Sequence, residues 1–299
     1  MNDQRDHDHT IAPAAAEGGP DASGAARGWY LYGIIQCEHD TDISLPLPDT
    51  DTSAGSATSE PARLLREGDL AAIVRMVTLV PAEDGKLGMG LRTAQQLETM
   101  VLEHNDLIAA VHRQRTILPS KFGCVYTQED DLRHALRQQQ ESLLDQLHRL
   151  RNCDEWGVHI YAQPSLVRER LARNDPRVRH VEDELATATP GKAYMLKRQL
   201  ANLLVEVTGQ SLADLAHVAL DALARHAADV SVAGQPRQAA KLDEEIEILR
   251  ASFLVGRPES TSFLDAIQRF TAGNEGLRCE YSGPWPPYSF VGSLEESAS

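Results

Sequence analysis

Long apolar runs in the first half of the chain predict buried β-strands. WYLYGII, residues 29–35, is continuously apolar, aromatic and β-branched, which is typical of a central strand covered on both faces. LAAIVRMVTLV, residues 70–80, has the same character. Shorter apolar stretches at residues 117–127 and 155–162 predict two further strands. Pro119 belongs at a strand start or edge, because proline has no N–H to donate.

Between these strands the apolar spacing changes to that of helices. Over residues 92–115 apolar positions recur every three or four residues, which predicts a helix with one buried stripe that includes His104. A second, leucine-striped helix is predicted from Thr127 to about Arg151. The order strand, strand, helix, strand, helix, strand predicts an α+β domain over residues 28–163. We expect a modified ferredoxin-like sandwich with both helices on one face of an antiparallel sheet.

The second half of the chain predicts a second domain of the same class. Residues 164–188 are rich in charge and predict a solvated helical linker. Residues 189–292 predict a helix-rich α+β domain with a small sheet. Its elements are a long helical stretch from Lys192 past Gly209, strands at 228–233, 245–257 and 276–283, and a helix at 258–273.

The net charge of −15 is concentrated near the N-terminus. Residues 1–60 hold eleven acidic and two basic side chains, a net charge of −9, and residues 1–27 have almost no large apolar side chains. We expect residues 1–27 to form a disordered acidic tail and residues 293–299 a second disordered tail. The remainder shows no cationic cluster, which argues against nucleic-acid binding. With no apolar run of about 20 residues and no signal-like segment, we expect a cytoplasmic protein that does not insert into membranes.

Motifs that carry catalysis or hold cofactors are not apparent. The glycines of GKLGMG, residues 85–90, lack the Gly-Lys-Ser/Thr of a phosphate loop, and no metal-ligand or nucleophile motif is present. The four cysteines are far apart, with Cys124 the only one beside a glycine, and they read as free, partly buried thiols. His104 lies within an apolar helix face, where a packed core histidine is more common than a base. The sequence therefore predicts no catalytic, metal or cofactor site.

The segment GPWPPYSF, residues 283–290, is the strongest local signal in the chain. Three prolines fix φ and remove N–H donors, so the segment is stiff and extended, and it carries large aromatic side chains. Two interpretations remain open, namely a rigid strap packed over its own sheet or a docking edge for a partner. The candidate partner-binding residues are Trp285, Pro286, Pro287, Tyr288 and Phe290.

Several stretches, in order, resemble the gas vesicle accessory proteins of the GvpL/GvpF family. They are WYLYGII at residues 29–35, the block HNDLIAAVHRQRTILPSKFGCVYTQEDDLRHAL at 104–136, EWGVHIY at 155–161, SFLVGR at 252–257 and GPWPPYSFV at 283–291. The resemblance spans residues 29–291. The N-terminal extension and the Asp/Ser/Thr-rich loop after Cys37 are longer than the family pattern, and neither touches these stretches.

The resemblance implies a non-enzymatic accessory component of gas vesicle formation. Its implied partners are the hydrophobic gas vesicle shell protein, whose aggregation it would limit, and other accessory proteins, with a location at the gas vesicle. It brings no cofactor and no catalytic residue. Two alternatives stay open: a scaffold that binds other accessory proteins without touching the shell protein, and a small-molecule enzyme.

Overall fold

The computed structural model describes residues 26–37, 60–81, 87–89, 93–234 and 245–292. The strands are β1 Ala26–Gln36, β2 Arg63–Glu67, β3 Leu70–Pro81, β4 Leu87–Gly88, β5 Leu118–Pro119, β6 Val125–Tyr126, β7 Cys153–Ala162, β8 Asp229–Val232, β9 Ile246–Gly256 and β10 Leu277–Trp285. The helices are α1 Ala94–Gln114, α2 Glu129–Gln138, α3 Gln140–Arg149, α4 Pro164–Asn174, α5 Pro176–Ala186, α6 Pro190–Ala224 and α7 Ser260–Ala272.

These elements form two compact units, each an antiparallel sheet with helices, so the predicted two-part α+β architecture is confirmed. The N-terminal unit runs to Arg151 and includes Val291 and Gly292, and the C-terminal unit is Asn152–Phe290. The predicted disordered tails lie outside the described residues except for Ala26 and Arg27, which open β1.

The sheet of the N-terminal unit has the order β2-β3-β1-β5, with β4 paired to β3 and β6 to β1. As predicted, β1 is a central strand, buried on both faces from Gly28 to Ile35. Strand β2 was not predicted, and it forms a hairpin with β3 through Gly68-Asp69. Gly68 adopts a φ of +58°, which glycine tolerates without strain. Pro119 pairs with Gly33 on a two-residue strand at the sheet edge, where a missing N–H is tolerated.

Helix α1 begins at a capping box in which the Thr93 side chain accepts from Gln96 N–H and the Gln96 side chain accepts from Thr93 N–H. Its apolar stripe packs against the tyrosines of β1. The second predicted helix is divided at Gln139 into α2 and α3, and the expected leucines are buried. They are Leu132, Leu136, Leu143, Leu147 and Leu150.

The expectation that residues 155–162 close the first domain is wrong. Strand β7 lies inside the second sheet, whose order is β10-β7-β9-β8, and it pairs along its whole length with β9. Its alternating buried residues predict a strand but carry no information on which sheet receives it, because pairing is decided by partners distant in sequence. The boundary between the units therefore falls at Arg151–Asn152 rather than near residue 163.

The expectation of a solvated linker at residues 164–188 is also wrong. The segment is helical, but α4 and α5 are parts of the C-terminal unit that pack on α6. Val167, Val178 and Val181 are buried, and Leu204 and Val207 of α6 lie in the same apolar cluster as Val178. The numerous charges occupy the opposite helix faces, which is how a charged sequence still supplies an apolar stripe.

Helices α6 and α7 supply the core of the C-terminal unit on one face of its sheet. Trp156, Val158 and Ile160 of β7 lie in that core with Phe253 of β9 and Phe263 of α7. Among the helices of the described residues, none combines the length and apolarity that a membrane crossing requires.

Candidate partner-binding site

The segment Gly283–Phe290, here called the aromatic strap, comprises the last three residues of β10 and the turn that follows, which reaches β7 and β9 of the C-terminal sheet. It starts at a register irregularity between Ser282 and Trp285, where Trp285 pairs with Glu155 of β7, and it ends in a 3-10 turn at Tyr288–Phe290. The candidate residues divide into two groups. Pro286, Pro287 and Phe290 are buried, whereas Trp285 is 51% exposed and Tyr288 is 36% exposed.

A buried carboxylate anchors the strap to its own sheet. Glu155, 8% exposed, accepts from Ser289 N–H at 2.8 Å and from Ser289 Oγ–H at 2.6 Å. Ser289 Oγ also lies 3.1 Å from Ser252 Oγ of β9. Hydrogen bonds to an ionised acceptor are the stronger kind, so these contacts fix the 3-10 turn. Partial burial, together with the nearby Glu155 carboxylate, raises the pKa of Tyr288 from 10 to about 12.

The entry to the strap requires glycine. Gly283 adopts a φ of +142°, and a Cβ there would lie 2.8 Å from the Glu155 carbonyl oxygen and 2.9 Å from Cε3 of Trp156. The backbone thus passes directly over β7 with no room for a side chain. As a result, the strap is held close to β7 at its first residue, while the Trp285 and Tyr288 rings remain partly exposed.

Two other residues that the sequence singled out, His104 and Cys124, are buried in the N-terminal unit. His104 is 2% exposed in the N-terminal core. Its Nε2–H donates to Ser120 O at 3.3 Å and its Nδ1 accepts from the Tyr30 hydroxyl at 2.8 Å. Cys124 is buried. Of the glycine-rich loop, Gly85 and Gly90 lie outside the described residues.

In the described part of the chain, no three His, Cys, Asp or Glu side chains converge as metal ligands.

Sequence reasoning missed the anchoring residues Glu155 and Ser289. They are 134 positions apart, and the strand pattern around Glu155 gives no reason to bury a carboxylate. The one local signal was Ser289 between two aromatic residues of a proline-rich segment, which does not identify its acceptor.

Comparison with known proteins defines the class. The fold is similar to that of the gas vesicle protein GvpF from Anabaena sp. PCC7120, with a TM-score of 0.59, 18% identity and coverage of 90% of this chain and 99% of that one. GvpF from Microcystis aeruginosa has a TM-score of 0.54 at 17% identity, and the match covers 88% of this chain and 98% of that one. The chain therefore has the two-part α+β fold seen in gas vesicle proteins.

Sequence similarity establishes the family. Residues 28–292 match the family Gas vesicle synthesis protein GvpL/GvpF, and the chain belongs to that family. Gas vesicle protein L of Streptomyces sp. (strain CB03234) is 28% identical over 239 residues, which cover 79% of this chain and 85% of that protein. Gas vesicle protein F of the same strain is 28% identical over 262 residues, which cover 88% of this chain and 98% of that protein.

Proposed function

We propose that this chain is a non-catalytic gas vesicle assembly protein that binds the hydrophobic shell protein and limits its aggregation, with the aromatic strap as the contact. The observation that carries the proposal is the exposure of Trp285 and Tyr288 on a segment that is anchored to its own sheet by Ser289 and by the buried Pro286, Pro287 and Phe290. Rings held at fixed positions lose little conformational entropy on binding, and aromatic residues dominate binding energy at protein interfaces.

The expected partner chemistry follows from these side chains. Trp285 and Tyr288 offer apolar ring surface with a polar tip, which suits an apolar helix or strand that must be shielded from water until it is assembled. A shell subunit whose apolar surface is covered in this way has less opportunity for edge-to-edge association. The proposed site of action is the gas vesicle as it forms, and no step requires a reaction or a cofactor.

Replacing both exposed aromatics tests the proposal. With Trp285→Ala and Tyr288→Ala combined, the amount of soluble shell protein recovered on co-expression is expected to fall at least about tenfold, as for loss of two interface anchors. Soluble and pelleted shell protein would be quantified against the unaltered chain. Tyr194→Ala is the matched control, since Tyr194 is 70% exposed on α6 of the same unit and should have no effect.

Thermal unfolding of the purified double variant completes the experiment. If the variant unfolds at the unaltered temperature and still keeps the shell protein soluble, the strap is only structural and the proposed contact is wrong. Pairwise pull-downs with each accessory protein and with the shell protein distinguish the scaffold alternative from the proposed shell-protein contact. In that case the double variant would lose an accessory partner while the unaltered chain never retains the shell protein.

A further inference from the structure

Strand β10 is an edge strand of the C-terminal sheet, and β7 is its one strand partner among the described residues. The direction of its backbone groups follows from one hydrogen bond, in which Gln163 N–H donates to Gly276 O at 2.9 Å. Antiparallel pairs alternate, so Arg278, Glu280 and Ser282 face β7 with their N–H and C=O groups. The backbone groups of Cys279 and Tyr281 therefore point away from the sheet.

This edge has no proline or bulge along its central part. Edge strands are commonly blunted by prolines, bulges and charged side chains. Here Pro284 and the irregularity after Ser282 end the edge on one side, whereas Leu277 to Tyr281 contain no proline and no bulge, and their two charges, Arg278 and Glu280, have opposite signs. Among the described residues, the backbone bond on this outer side joins Leu277 N–H to Asn274 O.

The side chains of the open segment form a self-complementary pattern. Leu277, Cys279 and Tyr281 lie on the helix-covered face, whereas Arg278 and Glu280 lie on the other face. An antiparallel pair of two such strands centred on Cys279 would place Arg278 opposite Glu280 twice and Leu277 opposite Tyr281 twice. Centring the pair on Arg278 would instead oppose two arginines, and centring it on Glu280 two glutamates, and both are unfavourable.

Arg278 is held in place on the face of the sheet opposite the helices. Its guanidinium pairs with Glu245 at 2.7 Å and with Glu280, and it lies over the Tyr161 ring with Cζ 4.3 Å from the centroid. It remains about half exposed, with 47% of its side chain accessible. A second Glu280 from a neighbouring strand would extend this network with alternating charges.

We propose that β10 pairs antiparallel with β10 of a second copy of this chain, centred on Cys279, and joins two four-stranded sheets into one. The Cys279 backbones would hydrogen-bond to each other, and Tyr281 N–H would donate to Leu277 O of the second copy in both directions. One strand pair is smaller than the roughly 1,000 Å² of a typical stable interface, so the dimer is weak and reversible. The inference is independent of what binds the strap.

Charge reversal tests this pairing. Sedimentation of the full chain is expected to show an average mass that rises from 32.8 kDa towards twice that value as concentration increases. Arg278→Glu opposes like charges at two symmetric positions and should weaken the dimer about tenfold or more. The exchange Arg278→Glu with Glu280→Arg restores opposite charges across the pair and should recover the dimer. Thermal unfolding of both variants checks that the sheet is intact.

Cys279 supplies an independent readout of the register. Residues of a hydrogen-bonded antiparallel pair have Cα atoms about 5.5 Å apart, within the range that a disulfide spans. Cys37, Cys124 and Cys153 are buried, so copper-phenanthroline oxidation should link the chains through Cys279 alone, and Cys279→Ser should abolish the link. Because burial raises the pKa of Cys279 to about 11, the oxidation is carried out at alkaline pH.

Three results would overturn the proposal: a monomer at every concentration, a dimer indifferent to Arg278→Glu, or a disulfide through another cysteine. A further experiment tests whether the shell protein binds the β10 edge instead. If the chain stays monomeric and co-expressed shell protein protects Cys279 from maleimide, the edge receives the shell protein and self-pairing is wrong.

Discussion

Acidification from pH 7 to pH 4 is expected to lower the free energy of unfolding of the N-terminal unit by about 3 kcal/mol through one side chain, His104. Burial lowers the pKa of His104 from 6.5 to about 4 in the folded protein. Above pH 6.5 the imidazole is neutral in both states and contributes no pH dependence. Between pH 6.5 and pH 4 the unfolded chain binds the proton first, so stability falls as pH falls.

The geometry around His104 explains why the folded state resists protonation. Its two ring nitrogens are already engaged by the Tyr30 hydroxyl and the Ser120 carbonyl. The rings of Tyr32 and Phe122 pack at centroid distances of 5.6 Å and exclude water. A proton on Nδ1 would remove the acceptor that Tyr30 uses and would place a charge in this apolar pocket.

Urea unfolding at several pH values measures the effect. Trp156→Phe and Trp285→Phe leave Trp29 of β1 as the fluorescence reporter of the N-terminal unit. In that background His104→Gln should unfold more readily at pH 7 but should lose most of the decline between pH 6.5 and pH 4. His148→Gln is the control, because His148 is exposed on α3 of the same unit. Equal pH slopes for His104→Gln and its parent would contradict the assignment.

The elements that the sequence predicted well are those whose signal is local. The continuous apolar run of β1 and the three-and-four spacing of α1 describe burial along the chain itself, and the structure confirms both. The hairpin at Gly68-Asp69 also has a local signal, since glycine followed by aspartate is a favoured two-residue turn. It was missed because Arg63–Glu67 alternates only weakly between apolar and charged residues.

What the sequence did not predict depends on distant pairing. The alternation of Trp156, Val158 and Ile160 indicates one buried face, but their sheet is chosen by β9, about ninety residues later. The strap shows the same division. Its stiffness follows from its prolines, whereas its attachment depends on the carboxylate of Glu155, on a strand far away in sequence. Whether the strap binds a partner is a matter of exposure, and the sequence does not reveal that Trp285 faces outward while Phe290 faces inward.

Replacing Gly283 by alanine is expected to destabilise the C-terminal unit by about 3 kcal/mol, the sum of backbone strain at a positive φ and overpacking against β7. The new Cβ would meet the Glu155 carbonyl oxygen and the Trp156 ring at 3.0 Å or less. A backbone oxygen and a buried indole have little freedom to move, so the strap must lift from the sheet. Its displacement would also strain the bonds between Ser289 and Glu155.

The same variant links the fold to the proposed function. Trp285 and Tyr288 remain present in Gly283→Ala but lose their fixed positions, so shell-protein solubilisation should fall while the two rings are unchanged. Unfolding is followed in a Trp29→Phe background, where fluorescence reports the C-terminal unit.

Gly209→Ala is the matched control: a Cβ there has no neighbour within 4 Å, and alanine should stabilise α6 by about 1 kcal/mol. If Gly283→Ala is as stable as its parent, the close approach of the strap to β7 is wrong. If it is destabilised but solubilises the shell protein fully at a temperature where it is folded, the fixed orientation of the rings is not what binds.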